Sequence, residues 1–310
     1  MKLLITGGSG FVGRNLITYL LNNTNYEISY CDNENFSTPL LIKNSKLKKI
    51  CNDISEIKIS ELKNVDTLIH LAAVKKHNIK NNDYSEIIRT NILETNKLFR
   101  NACEAGVRKI IFASSLYANG NFYKLNVKES ELSAPSTLYG NTKLFGEGIL
   151  RELSDKFTNK SFFSLRFYFI YGPHQYYGKG YPSIFLNIFN KLLNNKIPLI
   201  KNDGRQKLDY LYIDDLCALI VKVIKSKIRG YEIINASSSK AIDINQLVKK
   251  IIYHWGDKKK NNVKYSGFDF TNHTFRSGNN KKAQKFFDWK PRVTIDEGII
   301  NFIKWFKDSH

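Results

Sequence analysis

Residues 2–13, Lys2-Leu3-Leu4-Ile5-Thr6-Gly7-Gly8-Ser9-Gly10-Phe11-Val12-Gly13, run a short apolar strand directly into a glycine-rich turn. Helical spacing takes over across Phe11–Leu21. Glycines at 7, 10 and 13 suit three needs: a tight turn, a backbone that lets a pyrophosphate approach, and close contact between helix and sheet. The helix start behind them offers free N–H groups and the positive end of the helix dipole to an anion. A plain turn could use the same residues, so the decision rests on what lies further along. Glu27–Cys31 reads as a second strand, and Asp32 ends it, where a carboxylate accepts the ribose 2′-hydroxyl of a dinucleotide. Asp32 selects NAD over NADP, because a 2′-phosphate would face like charge and residues 31–35 hold no Arg.

Working outward, Leu47–Cys51, Val65–Leu71 and Lys109–Ala113 read as further strands. Between them lie helical patterns at Glu56–Leu62 and from about Tyr84 to Ala105, where Gly106 makes a stop. Tyr139–Leu153 reads as another helix and Phe162–Phe169 as a buried strand. Strand–helix alternation of this kind specifies an α/β fold, a Rossmann-type doubly wound parallel sheet. After about Gly172 the rhythm loosens into helices mixed with short strands. The expected division is a dinucleotide-binding domain over 1–170 and a smaller α/β substrate-binding lobe over 171–310, with some chain crossing back to the sheet.

The chain has 310 residues and a formal net charge of +20. Such a charge could signal nucleic acid or an anionic membrane, but its composition points elsewhere. Of 48 basic residues 38 are Lys, and Asn (33) and Ile (35) are equally inflated, the trace of A/T-rich codons. A selected phosphate surface would favour Arg, which pairs phosphate bidentately. Lys258-Lys259-Lys260, beside Asn261 and Asn262, reads as a solvated loop. Nucleic acid is therefore not the expected partner. Four cysteines without a CxxC spacing suit neither a disulfide scaffold nor the usual zinc site, and fit a reducing, cytoplasmic compartment. No metal is expected: His70 and His77 belong to no cluster with zinc spacing and read as packing or surface residues. No run of apolar residues reaches the length of a membrane span. The apolar run Leu3 to Thr6 is too short for a signal sequence.

A second constellation is Tyr139-Gly140-Asn141-Thr142-Lys143. On a helix, Tyr and Lys at i and i+4 share a face, so the ammonium can help hold the phenol as phenolate. Ser114-Ser115 closes the Lys109–Ala113 strand at the carboxyl edge, where doubly wound sheets bind their ligands. A Ser hydroxyl there, a Tyr–Lys pair on the next helix and a nicotinamide would make a hydride-transfer site.

With these residues in place the chain resembles the extended short-chain dehydrogenase/reductase superfamily. Within it, the resemblance is to the NAD-dependent epimerase/dehydratase family of nucleotide-sugar enzymes. It covers nearly the whole length: residues 6–13, Asp32, Asp53-Ile54, His70-Leu71-Ala72-Ala73, Ser114-Ser115, 139–143, Leu165-Arg166, and Tyr171-Gly172-Pro173. It continues in Asp203-Gly204-Arg205-Gln206, residues 209–215, Lys282-Ala283 and Trp289-Lys290-Pro291. The resemblance implies that Gly7, Gly10, Phe11, Val12, Gly13 and Asp32 hold NAD and that Asp53 and Ile54 flank its adenine. Leu71, Ala72, Ala73 and Lys75 would line its phosphates, ribose and nicotinamide, with Asn91 and Ser114 in support. Ser115 and Tyr139 would hold the sugar hydroxyl that is oxidised, and Lys143 the nicotinamide ribose. It also implies a homodimer formed through the helices around 84–105 and 139–153.

The residues after Ser115 discriminate among the family's reactions. Dehydratases and decarboxylating members place an acidic residue there. Here Leu116 and Tyr117 follow, and the next carboxylate is Glu129. The 3,5-epimerase/4-reductases need a Cys/His acid–base pair. Cys217 reads as a core residue, and His174 has no such partner in the pattern. What remains is a 4-epimerase cycle through a transient 4-keto sugar. The alternatives are a 4-keto-sugar-nucleotide reductase using NAD(P)H, and a non-catalytic nucleotide- or RNA-binding member. Two positions depart from the family pattern on the substrate side, Phe169 for Asn and Leu208 for Arg. Lys207, Arg205 or Arg276 would then grip the substrate diphosphate, and Tyr176, Tyr177 and Tyr181 would form a flap over it.

Overall fold

The computed structural model describes residues 1–35, 37–75, 84–120, 123–175, 183–256, 263–267 and 274–309. His77, the 258–260 lysines and Tyr176, Tyr177 and Tyr181 lie outside the described residues. In chain order the strands are β1 (Lys2–Thr6), β2 (Glu27–Cys31), β3 (Leu47–Cys51), β4 (Thr67–His70), β5 (Lys109–Ser115), β6 (Tyr123–Val127) and β7 (Ser161–Phe167). They continue with β8 (Phe169–Tyr171), β9 (Leu199–Lys201), β10 (Lys207–Tyr212), β11 (Gly230–Ala236), β12 (Ala241–Asp243), β13 (Lys264–Ser266) and β14 (Phe275–Gly278).

Seven strands form the central sheet in the order β11-β7-β5-β4-β1-β2-β3, every pair parallel. Every residue of β4 and β5 is buried, the pattern of strands covered by helices on both faces. The edge strand β3, Leu-Lys-Lys-Ile-Cys, is only partly buried, and its lysines discourage pairing with another chain. β1 has β2 on one side and β4 on the other. The chain order reverses there, which opens a crevice at the carboxyl ends. Thr6, Cys31, His70 and Ser115 end their strands along that edge.

β11 returns from the C-terminal part of the chain to complete this sheet against β7. The remainder of that part builds a second sheet, β12-β10-β14-β6 with β8 beside β10, and a β9–β13 pair. β6, largely exposed as Tyr-Lys-Leu-Asn-Val, offers little apolar signal and comes from the N-terminal half. Fully buried Asp209 in β10 ties these parts together. It accepts from Ser237 Oγ at 2.7 Å, from Ser238 N at 2.8 Å and Oγ at 2.6 Å, and from Gly278 N at 3.3 Å.

The helix expected from Tyr84 to Ala105 is interrupted. Ser85–Ile88 and Thr95–Glu104 are α-helical, but Arg89–Glu94 is a π-turn. Thr95 Oγ1 donates to the Thr90 carbonyl at 2.9 Å, and the extra residue turns Asn91 inward. Expected Glu56–Leu62 is likewise two short pieces, a 3₁₀ turn at Ile54–Glu56 and one helical turn at Ile59–Leu62. Among the described residues no helix is long and apolar enough to cross a membrane.

Candidate functional site

The glycine turn folds as its spacing requires. A Cβ on Gly13 would stand 2.1 Å from the Gly7 carbonyl oxygen, so the first turn of the Phe11–Asn23 helix closes on the loop only without a side chain. Gly7 N donates to the Cys31 carbonyl at 2.8 Å, which fastens the turn to β2. Asp32 accepts from Ser9 N at 2.9 Å and Glu34 N at 2.8 Å. Its carboxylate thus holds the turn as well as facing the pocket. That pocket, of about 150 Å³, is lined by Gly7, Gly10, Asp32, Asp53, Ile54 and the Leu71–Val74 segment, among others. Nine of the residues expected to hold a dinucleotide, Gly13 of the turn and eight that line the pocket, therefore converge here. Phe11 and Val12 stand in the helix's first turn, half-buried against the core. Lys75 follows the pocket segment and is exposed.

Asn91 braces the pocket from behind. Its Oδ1 accepts from Val74 N at 2.8 Å, and its Nδ2 donates to the Val74 carbonyl at 2.9 Å and to Thr142 Oγ1 at 3.2 Å. One amide therefore links the Leu71–Val74 segment to the helix that carries Tyr139. His70 is buried between Thr6 Oγ1 at 2.7 Å and Thr95 Oγ1 at 3.0 Å and stacks on Phe112. Burial, and next the charge of Lys143, push it down to about 3, so the ring is neutral.

β5 delivers the serines. Ser115 caps the short Leu116–Asn119 helix, its Oγ accepting from Tyr117 N at 3.3 Å. Ser114 is turned the other way and donates to Glu147 Oε1 at 2.6 Å. The following helix, Leu138–Lys156, starts at Thr137, whose Oγ1 accepts from Gly140 N at 3.0 Å. Gly140 is the close-approach residue here: a Cβ would stand 2.3 Å from the Tyr117 carbonyl oxygen. Its absence lets the Ser115 segment pack onto the start of the Tyr139 helix.

Tyr139 and Lys143 share a face of that helix, with Lys143 Nζ 5.6 Å from the Tyr139 ring centroid and 4.7 Å from that of Phe112. Lys143 is 2% exposed. Burial, and then the charge of Lys75, bring its ammonium down to about 7. Tyr139 is half-buried. Burial pushes its phenol up, and neighbouring Tyr117 adds to the shift. Deprotonating Tyr139 therefore needs positive charge beside it, which Lys143 and a bound nicotinamide would supply.

A larger pocket of about 390 Å³ opens in the C-terminal part, lined by Phe169, Lys201, Gln206, Leu208, Tyr210 and Arg276 among others. Phe169 and Arg276 thus line it, whereas Arg205 and Lys207 do not. Strand alternation explains Lys207: Leu208 and Tyr210 of β10 face the pocket, so Lys207 faces away, its Nζ over the Phe275 ring. Arg205 is exposed and pairs with Asp203. Gln206 and Lys201 are two of the polar lining side chains that sequence reasoning passed over. Gln206 is 9% exposed and its Oε1 has no hydrogen-bond partner among the described residues. Its place at the end of the 203–206 motif, between Arg205 and Lys207, was the available signal.

Arg276 connects the two regions. Its Nη1 donates to Tyr117 Oη at 3.1 Å, and the Tyr117 ring meets Tyr139 edge-on, 6.3 Å between centroids. Cys217 is fully buried in the core and His174 packs on Trp305, so neither meets the other at this site.

Residues 3–237 match the model of the NAD dependent epimerase/dehydratase family. A dTDP-4-dehydro-6-deoxyglucose reductase from Escherichia coli is 32% identical, with 97% of this chain and 96% of that protein covered. Among solved structures, the UDP-N-acetylglucosamine 4-epimerase of Methanobrevibacter ruminantium superposes with a TM-score of 0.91 at 23% identity, over 100% of this chain and 99% of that one. At that identity the likeness is one of fold. The UDP-glucuronic acid 4-epimerase of Bacillus cereus, solved with UDP-glucuronic acid and NAD, is 26% identical, with a TM-score of 0.84 and 100% of both chains covered.

Proposed function

Because the chain belongs to the NAD-dependent epimerase/dehydratase family, we propose that it is an NAD-dependent nucleotide-sugar epimerase acting at C4. The observation that carries this reading is the makeup of the catalytic edge. Ser115 ends β5, the Tyr139–Lys143 helix packs against the turn that follows it, and the side chains after Ser115 are Leu116 and Tyr117, with no carboxylate to move a proton at a neighbouring carbon. A 4-epimerase needs nothing more.

The residues fit the cofactor, since the glycine turn packs backbone to backbone without side chains at the pocket's mouth and the pocket carries Asp32 and Asp53. Bound NAD supplies a hydride acceptor that can return the hydride. Gly7, Gly10, Phe11, Val12 and Gly13 would cradle its pyrophosphate, Asp32 its ribose, and Asp53 and Ile54 its adenine. Tyr139 takes the O4 proton of the sugar and later gives it back, while Ser115 hydrogen-bonds the same oxygen. Lys143 biases Tyr139 toward phenolate and holds the nicotinamide ribose. In this reading residues 1–170 serve chiefly the cofactor and 171–310 the substrate, which Ser115, Tyr139 and Phe169 reach from the first part, with Arg276, Lys201 and Gln206 facing its nucleotide diphosphate.

The Escherichia coli relative favours a second reading, a 4-keto-sugar-nucleotide reductase. The two differ in what they keep. A closed epimerase cycle retains NAD, so protein purified without added cofactor and then denatured should release about one NAD per chain by mass spectrometry. An empty site that takes up NADPH in preference would replace the epimerase with the reductase.

We further propose a homodimer through the helices at 85–104 and 138–156. Leu93 is 59% exposed, Phe145 44% and Ile88 41%, a density of bare apolar side chains that suits a partner surface. Sedimentation equilibrium should return twice the chain mass of 35.8 kDa, and Leu93→Lys with Phe145→Lys should return the monomer. A wild-type monomer at micromolar concentration would end the idea.

A further inference from the structure

The cofactor pocket rests on a pair of thiols that the epimerase reading does not use. β2 ends on Cys31 and β3 on Cys51, and an irregularity after Tyr30 sets the two residues opposite each other in register. Both side chains belong to the same apolar cluster beneath the sheet. Neighbouring parallel strands lie about 4.8 Å apart, within the Cα separation of roughly 4.4–6.8 Å that a disulfide spans. Both cysteines are free, Cys31 fully buried and Cys51 half-buried.

Each thiol sits one residue before the pocket's polar side chains. Asp32 follows Cys31, and Asn52 and Asp53 follow Cys51, all three lining the pocket. The backbones are tied in as well. The Cys31 carbonyl accepts from Gly7 N at 2.8 Å and Gly8 N at 3.4 Å, and Asp32 N donates to the Cys51 carbonyl at 3.4 Å. Any shift that draws the two sulfurs together acts on both the glycine turn and the adenine end of the pocket.

We propose that Cys31 and Cys51 form a reversible dithiol–disulfide site, closed by a low-molecular-weight disulfide, whose closure weakens dinucleotide binding. The effect on binding rests on the cofactor reading above, while the bond itself does not. The Cys51 thiolate attacks the small disulfide, forming a mixed disulfide and releasing one small thiol. Cys31 then gives up its proton and attacks the Cys51 sulfur, releasing the second small thiol. Two protein thiols are oxidised, one small disulfide is reduced to two thiols, and the protons pass to the leaving thiolates. The neighbouring Cys51 thiol and burial keep Cys31 protonated, so the second step is the slow one. Closure draws Asn52 and Asp53 toward β2 and narrows the adenine end.

The test uses the full chain and oxidised glutathione. After incubation, intact mass should fall by two hydrogens and peptide mapping should return Cys31 linked to Cys51. NADH affinity, titrated by fluorescence, should drop about tenfold or more, a change of roughly 1.4 kcal/mol, and dithiothreitol should restore it. Cys51→Ser and, separately, Cys31→Ala should show neither change. A lasting glutathione adduct on Cys51, a different linked pair, or a linked pair with unchanged NADH affinity would each overturn the proposal. Failure of the reduced protein to bind NADH would instead defeat the cofactor reading, and the linked peptide would still decide the bond.

Discussion

Tyr139→Phe is expected to lower kcat for sugar-nucleotide interconversion by about a thousandfold, in line with the roughly 10²- to 10⁴-fold contribution of a placed acid–base group. The substitution removes one oxygen and keeps the ring, so the edge-on contact with Tyr117 and the burial of Lys143 beneath it persist. The retained NAD and the unfolding midpoint should therefore stay at wild-type values. The lost function is specific. In the proposed cycle Tyr139 alone takes the O4 proton, because Ser115 contributes only a neutral hydroxyl that hydrogen-bonds the same oxygen and Lys143 Nζ lies over the Phe112 ring. A variant that keeps kcat within about tenfold of wild type would remove Tyr139 from the proton path, since that loss is smaller than a general acid–base group accounts for.

Glu147→Leu carries the largest expected loss of stability. Glu147 is 3% exposed and Arg166 2%, and they meet through two hydrogen bonds, Arg166 Nε to Oε1 at 2.9 Å and Nη2 to Oε2 at 2.8 Å. Glu147 also accepts from Ser114, and Arg166 Nη1 is already buried without a partner among the described residues. Removing the carboxylate strands a guanidinium in the interior, which costs about 3–5 kcal/mol. Against a typical folding stability of about 5–15 kcal/mol, that is a large share. Guanidinium chloride unfolding should show the midpoint falling at unchanged slope. Replacing both partners, Glu147→Leu with Arg166→Met, should recover most of the loss, because no lone charge remains. If the double variant is no more stable than the single one, the stranded-charge explanation fails.

The pair also bears on catalysis. Ser114 hangs from Glu147, and Ser115 follows it in β5, so the clamp sets the direction in which the strand ends. Glu147 stands one turn after Lys143 on the same helix. A single buried carboxylate thus fixes β5, β7 and the Tyr139 helix against one another.

Much of this was legible in the sequence because it is local. The strand–turn–helix at residues 2–23, Asp32 after β2, and Tyr139 with Lys143 each lie within one or two elements, where backbone geometry alone sets which atoms meet. The second sheet was harder to read. β6 shows little apolar alternation because most of its side chains face solvent, and β11 crosses back to the central sheet over a long stretch of chain. The helix at 84–105 kept its spacing in the sequence but not in space. Asn91 gains three hydrogen bonds by leaving regular geometry, and those partners, Val74 and Thr142, stand far away along the chain.

The sequence by itself determined the doubly wound α/β class, the glycine turn after β1 and the placing of Tyr139 and Lys143 on one helix face. Periodicity and turn chemistry act over a few residues, and a linear text records them. Only the tertiary structure decided which charges sit in the interior and which cysteines stand opposite each other. Glu147 with Arg166, Asp209 with its ring of serine donors, Arg276 with Tyr117, and Cys31 with Cys51 are all pairings of residues distant in the chain. Their energy comes from burial and from mutual register. Four scattered cysteines offered no pairing in the text, and two of them became neighbours only when β2 and β3 were laid side by side.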